Sequence, residues 1–351
     1  MKVLFVTRTW PPAVGGMQTY CKELCHELEK ISELEVEALP GKINGHSPSP
    51  QALVWFLIRN FFTLGFKKTY DVYHFGDLVI WPLAWVTMLF KPKSKIVITV
   101  HGLDLIYGNR PGLAPTIYRI YAKLAVALLG KRAVIVANSR GTAKLCETAG
   151  FKKIATTPLA TTLQAKELDA VKTEPFVLFV GRLVKRKGPD WFAANVLPLL
   201  PKHITMKVAG PAWDKSIAEA LNANPRVEYL GLVSNEELTS LRQRAIAVLM
   251  PNIIIGNHDF EGFGLTAPEA AAEGGILIAS AIEGIPDAVI DGKTGFLVPE
   301  NTPEAWVTKI SELDKWSQKD RLKFIKQAQE LVATHYSWKR VAKQTLESYN
   351  L

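Results

Sequence analysis

Short apolar, β-branched stretches recur along the chain and alternate with segments of helical periodicity. Eleven stretches have this character: Val3–Thr7, Glu35–Leu39, Val72–His74, Ile96–Val100, Ala133–Ala137, Phe176–Val180, Met206–Ala209, Val227–Leu230, Ala247–Met250, Ile276–Ala279 and Gly295–Val298. Many of them are continuously apolar, which is typical of strands covered on both faces of a parallel sheet. The pattern therefore predicts an α/β protein built on parallel sheets.

The first strand is followed by the glycine-containing turn WPPAVGGM and then by a helix. Apolar side chains recur on one face of that helix: Met17, Tyr20, Cys21, Leu24, Cys25 and Leu28. A strand, a glycine turn and a helix in this order often present backbone N–H groups to a phosphate. The turn has neither GxGxxG nor GxxxxGK[ST], so Gly15 and Gly16 do not by themselves identify a ligand.

The chain has 351 residues, 48% of them hydrophobic. That length exceeds the usual size of a single core, so we expect two domains. The stretch Ala160–Pro175 is polar and charged and ends in proline before a new strand. It is predicted to be the linker between two similar α/β units.

The charge balance is positive, with 42 Lys and Arg against 33 Asp and Glu, a net +9. This suits nucleotide phosphates, other polyanions or an anionic membrane, without choosing among them. Three cysteines, without metal-type partners, are expected to be reduced and buried, as in a cytoplasmic protein. The apolar start of the chain is only one strand long, so no signal peptide is predicted.

Two segments are apolar enough to raise the question of a membrane. Residues 52–68 are interrupted by Arg59 and Asn60, and residues 73–93 by Asp77 and Pro82. Neither provides the roughly 20 apolar residues that a spanning helix needs. The first is predicted either to be a buried amphipathic helix or to lie on a lipid surface with its Lys67-Lys68 end.

Ligands of open parallel sheets bind at the carboxyl ends of the strands, so the loops that follow the strands are the places to search. Four stand out: HGLD (101–104), GRLVKRKG (181–188), the long loop ending in EGFGLTAPE (261–269), and SAIEGIPD (280–287).

Together these segments resemble the retaining glycosyltransferase family 4, whose GT-B architecture has two Rossmann-like domains facing a cleft. The resemblance covers nearly the whole chain. It is carried by the Gly15-Gly16 turn, HGLD, Asn138-Ser139, GRLVKRKG, EGFGLTAPE and GIPDAVIDGKTGFLV. It implies an acceptor-binding domain at 1–165, a nucleotide-sugar-binding domain at 166–332, and a C-terminal helix at 333–351 that packs back on the first domain.

Sugar transfer from a nucleotide diphosphate requires the departing diphosphate to be neutralised by fixed cations. The family pattern puts Arg182 and Lys187 on the diphosphate. The neighbouring Lys185 and Arg186 are expected to be solvated. Gly188 closes the loop and allows a tight turn into the next helix.

The motif EGFGLTAPE also contains GxGxxA, the fingerprint of a dinucleotide-binding turn. Ten residues separate Met250, the end of the preceding strand, from Glu261. A dinucleotide fingerprint needs its first glycine directly after the strand, so that interpretation fails.

The resemblance instead implies that Glu261 faces the hydroxyls of the transferred sugar and that Glu269 accepts hydrogen bonds from the ribose. A carboxylate suits a diol because it accepts two hydrogen bonds at once. The residues between them in the motif are expected to contact the donor: Gly262, Phe263, Gly264 and Leu265.

In the first domain, the resemblance implies that His101 contacts the transferred sugar or the reaction centre. The alternative is a strand-end histidine held by backbone groups, and for Asp104 both interpretations stay open. Gly15 and Gly16 are expected to pack against the donor phosphate or the acceptor.

The chain departs from the family pattern in two loops. Glu283 stands where the family has the first glycine of Gly-Gly-x-Pro-Glu, and Asp287 replaces its glutamate. Residues 158–162, Pro-Leu-Ala-Thr-Thr, replace Pro-Asn-Gly-Val-Asp. We expect these changes to alter how the loops meet the ligand and not to alter the fold.

The sequence contains no Asp-x-Asp motif, so we expect a metal-independent hexosyltransferase without a cofactor. Retention of configuration is implied by the family, and no second nucleophile is evident, which favours front-face displacement. The expected acceptor is an envelope glycan, glycolipid or polysaccharide precursor, with an anionic membrane surface as a further partner and no nucleic acid. The alternatives are a GT-B epimerase or hydrolase, and a non-catalytic nucleotide-sugar-binding subunit.

Overall fold

The computed structural model describes residues 1–42, 45–165, 168 and 172–351. The chain forms two compact units. Unit 1 comprises Met1–Leu159, Phe260–Gly262 and Trp338–Leu351, and unit 2 comprises Ala160–Asp259 and Phe263–Ser337. Residues 166–167 and 169–171 of the predicted linker, and with them the boundary predicted between 165 and 166, lie outside the described residues.

Unit 1 contains a six-stranded, fully parallel sheet in the order β2-β1-β3-β4-β5-β6. Its strands are β1 Lys2–Trp10, β2 Glu33–Pro40, β3 Val72–Phe75, β4 Lys95–Val100, β5 Val134–Ala137 and β6 Lys153–Thr156. Its helices are α1 Gly16–Glu29, α2 Pro50–Thr63, α3 Trp81–Phe90, α4 Leu103–Ile106, α5 Leu113–Leu129 and α6 Arg140–Ala149, to which the last helix of the chain, Trp338–Ser348, is added. Short 3-10 helices lie at Leu78–Ile80 and Tyr107–Asn109.

The helices of unit 1 cover both faces of its sheet. On one face, α2, α3 and α5 bury strand residues such as Leu4, Phe75 and Ile98. On the other face, Tyr349 packs among Val3, Val72, Val97, Val134 and Val136, while α1 packs against the last helix. Both faces of the central strands are therefore buried, which explains why their sequences are continuously apolar.

Unit 2 contains a second parallel sheet of six strands in the order β12-β11-β10-β7-β8-β9. Its strands are β7 Phe176–Val180, β8 Thr205–Ala209, β9 Val227–Gly231, β10 Ala247–Met250, β11 Leu277–Ser280 and β12 Phe296–Val298. Its helices are α7 Pro189–Asn195, α8 Lys215–Asn222, α9 Asn235–Arg244, α10 Thr266–Ala272, α11 Pro303–Asp314 and α12 Gln318–His335, so the last helix of the chain is α13. Lys185–Lys187, Leu197–Leu199 and Ile285–Asp287 are 3-10 helices.

Each of the eleven predicted strands is present, and the fold class is confirmed. The strand β6 was missed by the sequence pattern. It reads KIAT and lies at the edge of the sheet with its side chains only partly covered. A short edge strand has little apolar surface to bury, so it leaves a weak signal in the sequence.

The three cysteines are free and buried. Among the described residues, no helix combines the length and the apolar character needed to span a bilayer. The helix predicted within 52–68 exists as α2, but only Phe56 and Asn60 of it are buried. Leu57 and Phe61 of α2 pack against the core of unit 1, whereas Val54, Trp55, Ile58 and Phe62 are exposed. The helix is therefore amphipathic, and both interpretations stay open.

Candidate functional site

In unit 2 the order of the strands reverses between β7 and β10, which are neighbours in the sheet although two strands separate them in the chain. Ligands of open parallel sheets bind at such a switch point, outside the carboxyl ends of the strands. Two of the four candidate loops, 181–188 after β7 and the loop after β10, leave the sheet there side by side. Their adjacency follows from the topology and does not depend on a motif.

Gly188 fixes how closely these two loops approach each other. Its φ is 66°, in the left-handed region that favours glycine, and a Cβ at this position would collide with the carbonyl oxygen of Pro251. The N–H of Ile253 donates to the carbonyl of Arg186 at 3.0 Å. The basic loop is therefore held against the loop that follows β10.

The four cations of the basic loop have different surroundings. Arg182 is exposed, with its guanidinium 4.4 Å from the centre of the Trp213 ring. Lys185 is also exposed and pairs with Asp190. Lys187, partly buried, ends the 3-10 helix that leads to Gly188. The two cations assigned to the diphosphate thus lie on the same loop, at the switch point.

Arg186 corrects one expectation. It was predicted to be solvated, yet only 7% of the residue is exposed. Its Nε lies 3.1 Å from Oδ1 of Asp259. The partner comes from the loop after β10, 73 positions away in the chain, and no local pattern in the basic loop indicates it.

Glu269 lies in the first turn of α10 and borders a cavity of about 550 Å³. The cavity is lined by Thr162, Leu163, Gln164, Ala165, Asn235, Glu236, Leu238, Thr239, Arg242, Glu269 and Glu273. Its size is that of a small-molecule site. Thr162 is the last residue of the segment in which the chain departs from the family pattern, and residues 163–165 follow it directly. Burial raises the pKa of Glu269, and the charge of Arg242 opposes that rise.

Arg242 and Glu273 form a buried ion pair next to Glu269 that sequence reasoning missed. A signal for it exists in the sequence. Glu269 and Glu273 are four residues apart, so they share one face of a helix, where like charges repel unless a cation lies between them. The position of that cation, on α9, is visible only in the fold.

Glu261 and Gly262 fall in the short segment, Phe260–Gly262, that belongs to unit 1. Glu261 is buried and lies outside α10, five residues before the start of that helix. A Cβ on Gly262 would collide with the carbonyl oxygen of His101 and lie 3.0 Å from Nδ2 of Asn138. The structure thus brings Glu261 and Gly262 close to His101 within unit 1, whereas Arg182, Lys187 and Glu269 lie in unit 2.

His101 is half-buried at the carboxyl end of β4. Its Nε2 lies 3.0 Å from the carbonyl oxygen of Gly76, and its ring packs edge-on against Tyr20, 5.1 Å between centroids. Its backbone N–H donates to the carboxylate of Asp104, at 3.1 and 3.2 Å. Asp104 therefore orders the turn, and burial raises its pKa.

Unit 1 has its own switch point, between β1 and β3. There the carboxylate of Asp77, completely buried, lies 2.9 Å from Nε of Arg8. Strand β1 continues to Trp10, so Arg8 belongs to it. The predicted strand ended at Thr7, and Arg8 was therefore not among the candidate residues. Gly15 and Gly16 follow at the start of α1, where the carbonyl of Gly15 accepts from the N–H of Thr19 at 3.0 Å.

The remaining residues predicted to contact the donor directly precede α10. Phe263 is buried, with its ring 6.2 Å from that of Tyr336, and Gly264 has a φ of 92°. Leu265 is the N-cap residue of α10. In the following loop Glu283 has a φ of 54°, a conformation that glycine adopts at lower cost. Glu283, which stands where the family has a glycine, therefore adopts a backbone conformation that suits glycine.

Part of the chain is similar to a known family of enzymes. Residues 161–331 match the family described as "Glycosyl transferases group 1". A D-inositol 3-phosphate glycosyltransferase of Corynebacterium urealyticum is 33% identical over 49% of this chain and 42% of its own length. An uncharacterized glycosyltransferase of Methanocaldococcus jannaschii is 23% identical over 100% of this chain and 98% of its own. The chain thus spans less than half of the D-inositol 3-phosphate enzyme that it matches.

Solved structures match over the whole chain. Anabaena HepE in complex with UDP superposes with a TM-score of 0.73 at 17% identity, covering 100% of both chains. The sucrose-phosphate synthase of Thermosynechococcus elongatus gives 0.72 at 19% identity, covering 99% of this chain and 98% of its own. These similarities, with the two parallel six-stranded sheets, establish the GT-B fold.

Proposed function

We propose that the chain is a group 1 glycosyltransferase that moves a hexose from a nucleotide diphosphate sugar to an envelope glycan, glycolipid or polysaccharide precursor, with retention of configuration. One observation carries this proposal. At the switch point of unit 2, two cations on one loop and a carboxylate on a cavity lie where the topology predicts a ligand.

Each of these residues has a different role in binding the donor. Arg182 and Lys187 neutralise the charge that develops on the departing diphosphate, which is the largest electrostatic demand of the reaction. Glu269 accepts hydrogen bonds from the two ribose hydroxyls. The backbone of Gly262, Phe263, Gly264 and Leu265 contacts the donor, and Gly15 and Gly16 pack against its phosphate or against the acceptor. The bound UDP of Anabaena HepE supports a donor of this class.

For the transferred sugar we assign two residues of unit 1. His101 contacts the sugar at the reaction centre, and Glu261 accepts hydrogen bonds from its hydroxyls. Their support is the close approach of Gly262 to the His101 carbonyl, which places Glu261, the neighbour of Gly262 in the chain, near the carboxyl end of β4. With the leaving group stabilised by cations, front-face displacement needs no covalent intermediate on the protein.

We further propose that the reaction requires no metal ion or cofactor. Its support is that Arg182 and Lys187 supply two positive charges to a diphosphate, as a divalent cation does in other enzymes. The experiment is a thermal-shift titration of wild type and Glu269→Ala with UDP-, GDP- and ADP-sugars, with and without EDTA. A donor at about 100 times its dissociation constant stabilises the fold by roughly 2.7 kcal/mol.

A shift by one donor in EDTA that Glu269→Ala abolishes supports the whole proposal. A shift that appears only without EDTA contradicts metal independence alone. If no nucleotide sugar shifts the transition, the donor assignment is wrong. Turnover of the donor without any acceptor identifies an epimerase or hydrolase, and binding without turnover in the presence of acceptors identifies a non-catalytic subunit.

For the acceptor, we propose a substrate at an anionic membrane surface of the cytoplasmic side. The support is the outer face of α2, α3 and α5, which line one side of the unit 1 sheet. Apolar side chains exposed there form what we call the outer apolar surface: Val54, Trp55, Ile58, Phe62, Phe66, Leu89, Phe90, Leu113, Ile117, Ile120, Leu124 and Leu128. On α5 these residues recur every three or four positions, as one stripe.

The distribution of charge supports the same surface. Residues 42–146 hold 14 of the 42 Lys and Arg but only three of the 33 Asp and Glu. The rest of the chain is close to neutral, with 28 basic and 30 acidic residues. An apolar helix face surrounded by cations is the composition of proteins that lie in the interface of anionic bilayers.

A further inference from the structure

A buried ion pair between Arg242 and Glu273 lies next to Glu269. The side chains of Arg242 and Glu273 are 3% and 7% exposed, and one Nη of Arg242 binds the carboxylate of Glu273. The other Nη lies 3.6 Å from Oε2 of Glu269. A single guanidinium therefore faces two carboxylates, that of Glu269 in α10 and that of Glu273, the C-cap residue of the same helix.

Glu273 is fixed by neighbours other than Arg242. The hydroxyl of Thr239 donates to its carboxylate at 2.8 Å, and Nε2 of Gln243 donates to its backbone carbonyl at 3.0 Å. Thr239, Arg242 and Gln243 all belong to α9, so the contacts join α9 to α10. These bonds orient the Glu273 carboxylate, which in turn orients the guanidinium of Arg242.

Glu269 differs from Glu273 in its access to solvent. Its side chain is 34% exposed and borders the cavity. The charged groups around it are Arg242 on α9, Glu273 at the end of α10, Lys187 on the basic loop, and Glu236, which lines the same cavity. Of the two cations, Arg242 has the larger effect on Glu269.

We propose that Arg242, held by Glu273, is a positioning residue that keeps Glu269 ionised and oriented toward the ribose diol of the nucleotide. This inference rests on the proposed function, since it takes the ribose as the ligand of Glu269. Burial alone favours the protonated carboxyl, which has one O–H donor and a reduced capacity to accept. The guanidinium offsets that preference without occupying the face of Glu269 that borders the cavity.

The test is a measurement of selectivity for the ribose hydroxyls. Binding of UDP, GDP and ADP to the wild type identifies the nucleotide, which is then compared with its 2′,3′-dideoxy form by calorimetry. We expect the wild type and Arg244→Met to prefer the ribonucleotide at least tenfold. Arg244, two residues from Arg242, pairs with Glu174 and is the matched control. Arg242→Met and Glu269→Ala are expected to lose most of the preference.

The pH dependence of ribonucleotide binding gives a second, independent readout. Binding falls at low pH as Glu269 takes up a proton. Without the charge of Arg242 the pKa of Glu269 rises, so Arg242→Met shifts this fall to higher pH. Glu273→Gln removes a repelling carboxylate and shifts the fall to lower pH. A structural defect does not produce shifts in opposite directions.

The outcomes separate this inference from the proposed function. If the wild type binds none of the three nucleotides, the proposed donor site is wrong. If it binds one, and Glu269→Ala loses the ribose preference while Arg242→Met keeps it, only the role of Arg242 is overturned. Should Arg242→Met fail to fold, the double variant Arg242→Met/Glu273→Gln removes both buried charges, and retention of the preference in that protein overturns the inference equally.

Discussion

The hydroxyl of Tyr349 lies 2.7 Å from Nδ1 of His74, although 275 residues separate the two in the chain. On the other side of the ring, Nε2 of His74 lies 2.8 Å from Oγ1 of Thr99, which is 2.6 Å from the hydroxyl of Tyr20. These four buried polar groups satisfy one another inside an apolar sheet face, as buried polar groups must.

His74 makes unit 1 sensitive to acid. Burial lowers its pKa to about 3, helped by the nearby His101. The unfolded chain takes up this proton near pH 6.5, so its stabilising contribution is complete above that pH and is lost progressively toward pH 3. We measure the free energy of unfolding with urea between pH 6.5 and 5. For the wild type we expect this free energy to fall with decreasing pH more steeply than for His74→Gln, by up to about 1.4 kcal/mol per pH unit. Equal slopes would mean that His74 is protonated in the folded state.

Replacement of Gly188 tests the contact between the two loops at the switch point. Gly188→Ala introduces both left-handed strain and a collision with the Pro251 carbonyl. Gly292 has nearly the same φ, 68°, but open space around its Cα, so Gly292→Ala is the matched control. Thermal or urea unfolding is expected to show a loss of about 1–2 kcal/mol for Gly292→Ala and about 1–3 kcal/mol more for Gly188→Ala. Equal losses would contradict the close approach of the loops.

The proposed donor site predicts different roles for Lys187 and Lys185 on the basic loop. Lys187→Ala is expected to lower kcat about 10²- to 10³-fold, as loss of one group that stabilises developing charge does, with little change in stability. Lys185→Ala, beside it and paired with Asp190, is the control and is expected to keep nearly full activity. The measurement is steady-state transfer with the donor identified by thermal shift, and a similar loss in both variants would contradict the assignment.

Replacement of Arg186 is expected to lower stability, in contrast to replacement of Lys187, which is expected to lower kcat. Arg186→Ala removes the ion pair with the partly buried carboxylate of Asp259, and loss of a hydrogen bond to a charged group costs about 1.5–3 kcal/mol of stability. Unfolding by urea measures that loss. A variant as stable as wild type but unable to bind the donor would instead make Arg186 a ligand of the diphosphate.

The outer apolar surface is tested with vesicles. Trp55→Ser/Phe62→Ser removes two exposed aromatic side chains of α2 and is expected to weaken binding to phosphatidylglycerol vesicles at least tenfold, since burial of one such side chain stabilises by about 1.5–3 kcal/mol. Lys67→Glu/Lys68→Glu is expected to do so at low salt, at about 1 kcal/mol per charge removed. Leu232→Ser, at an exposed leucine of unit 2, is the control.

Two results would contradict the membrane proposal. One is an absence of wild-type binding to vesicles, and the other is unchanged binding by both double variants. Because Lys67 and Lys68 also pair with Glu37 and Glu35, a change in the charge variant alone is ambiguous, and the aromatic variant decides.

The sequence predicts most of the fold because the strands that form it are buried on both faces. Phe176–Val180 and Ala247–Met250 are continuously apolar for that reason. The partly exposed strand β6 is not continuously apolar, and neither is the extension of β1 that contains Arg8. The glycine at 188 was also predictable, because a loop that enters a helix so directly requires a left-handed residue.

The candidate site was predictable only where a local motif marks its residues. Lys187 and Glu269 belong to such motifs, but the difference between Arg186 and Lys187 depends on Asp259, which reaches the loop through the fold. The pairing of Arg242 with Glu273 likewise joins two helices that are separated by strand β10 and a long loop. Contacts of this kind come from the topology, and a pattern of neighbouring residues does not contain them.

The position of α13 has a consequence for synthesis of the protein. Unit 1 takes its first 159 residues from the start of the chain and its last helix from residues 338–351. At typical elongation rates, roughly 10–40 s pass between the two on the ribosome. During that time the valines beneath Tyr349 lack the cover of α13, and part of one apolar face of the unit 1 sheet stays exposed. We therefore expect a chaperone that holds apolar surfaces to bind ribosome-attached chains that end before Trp338, and to bind them less once the last helix has emerged.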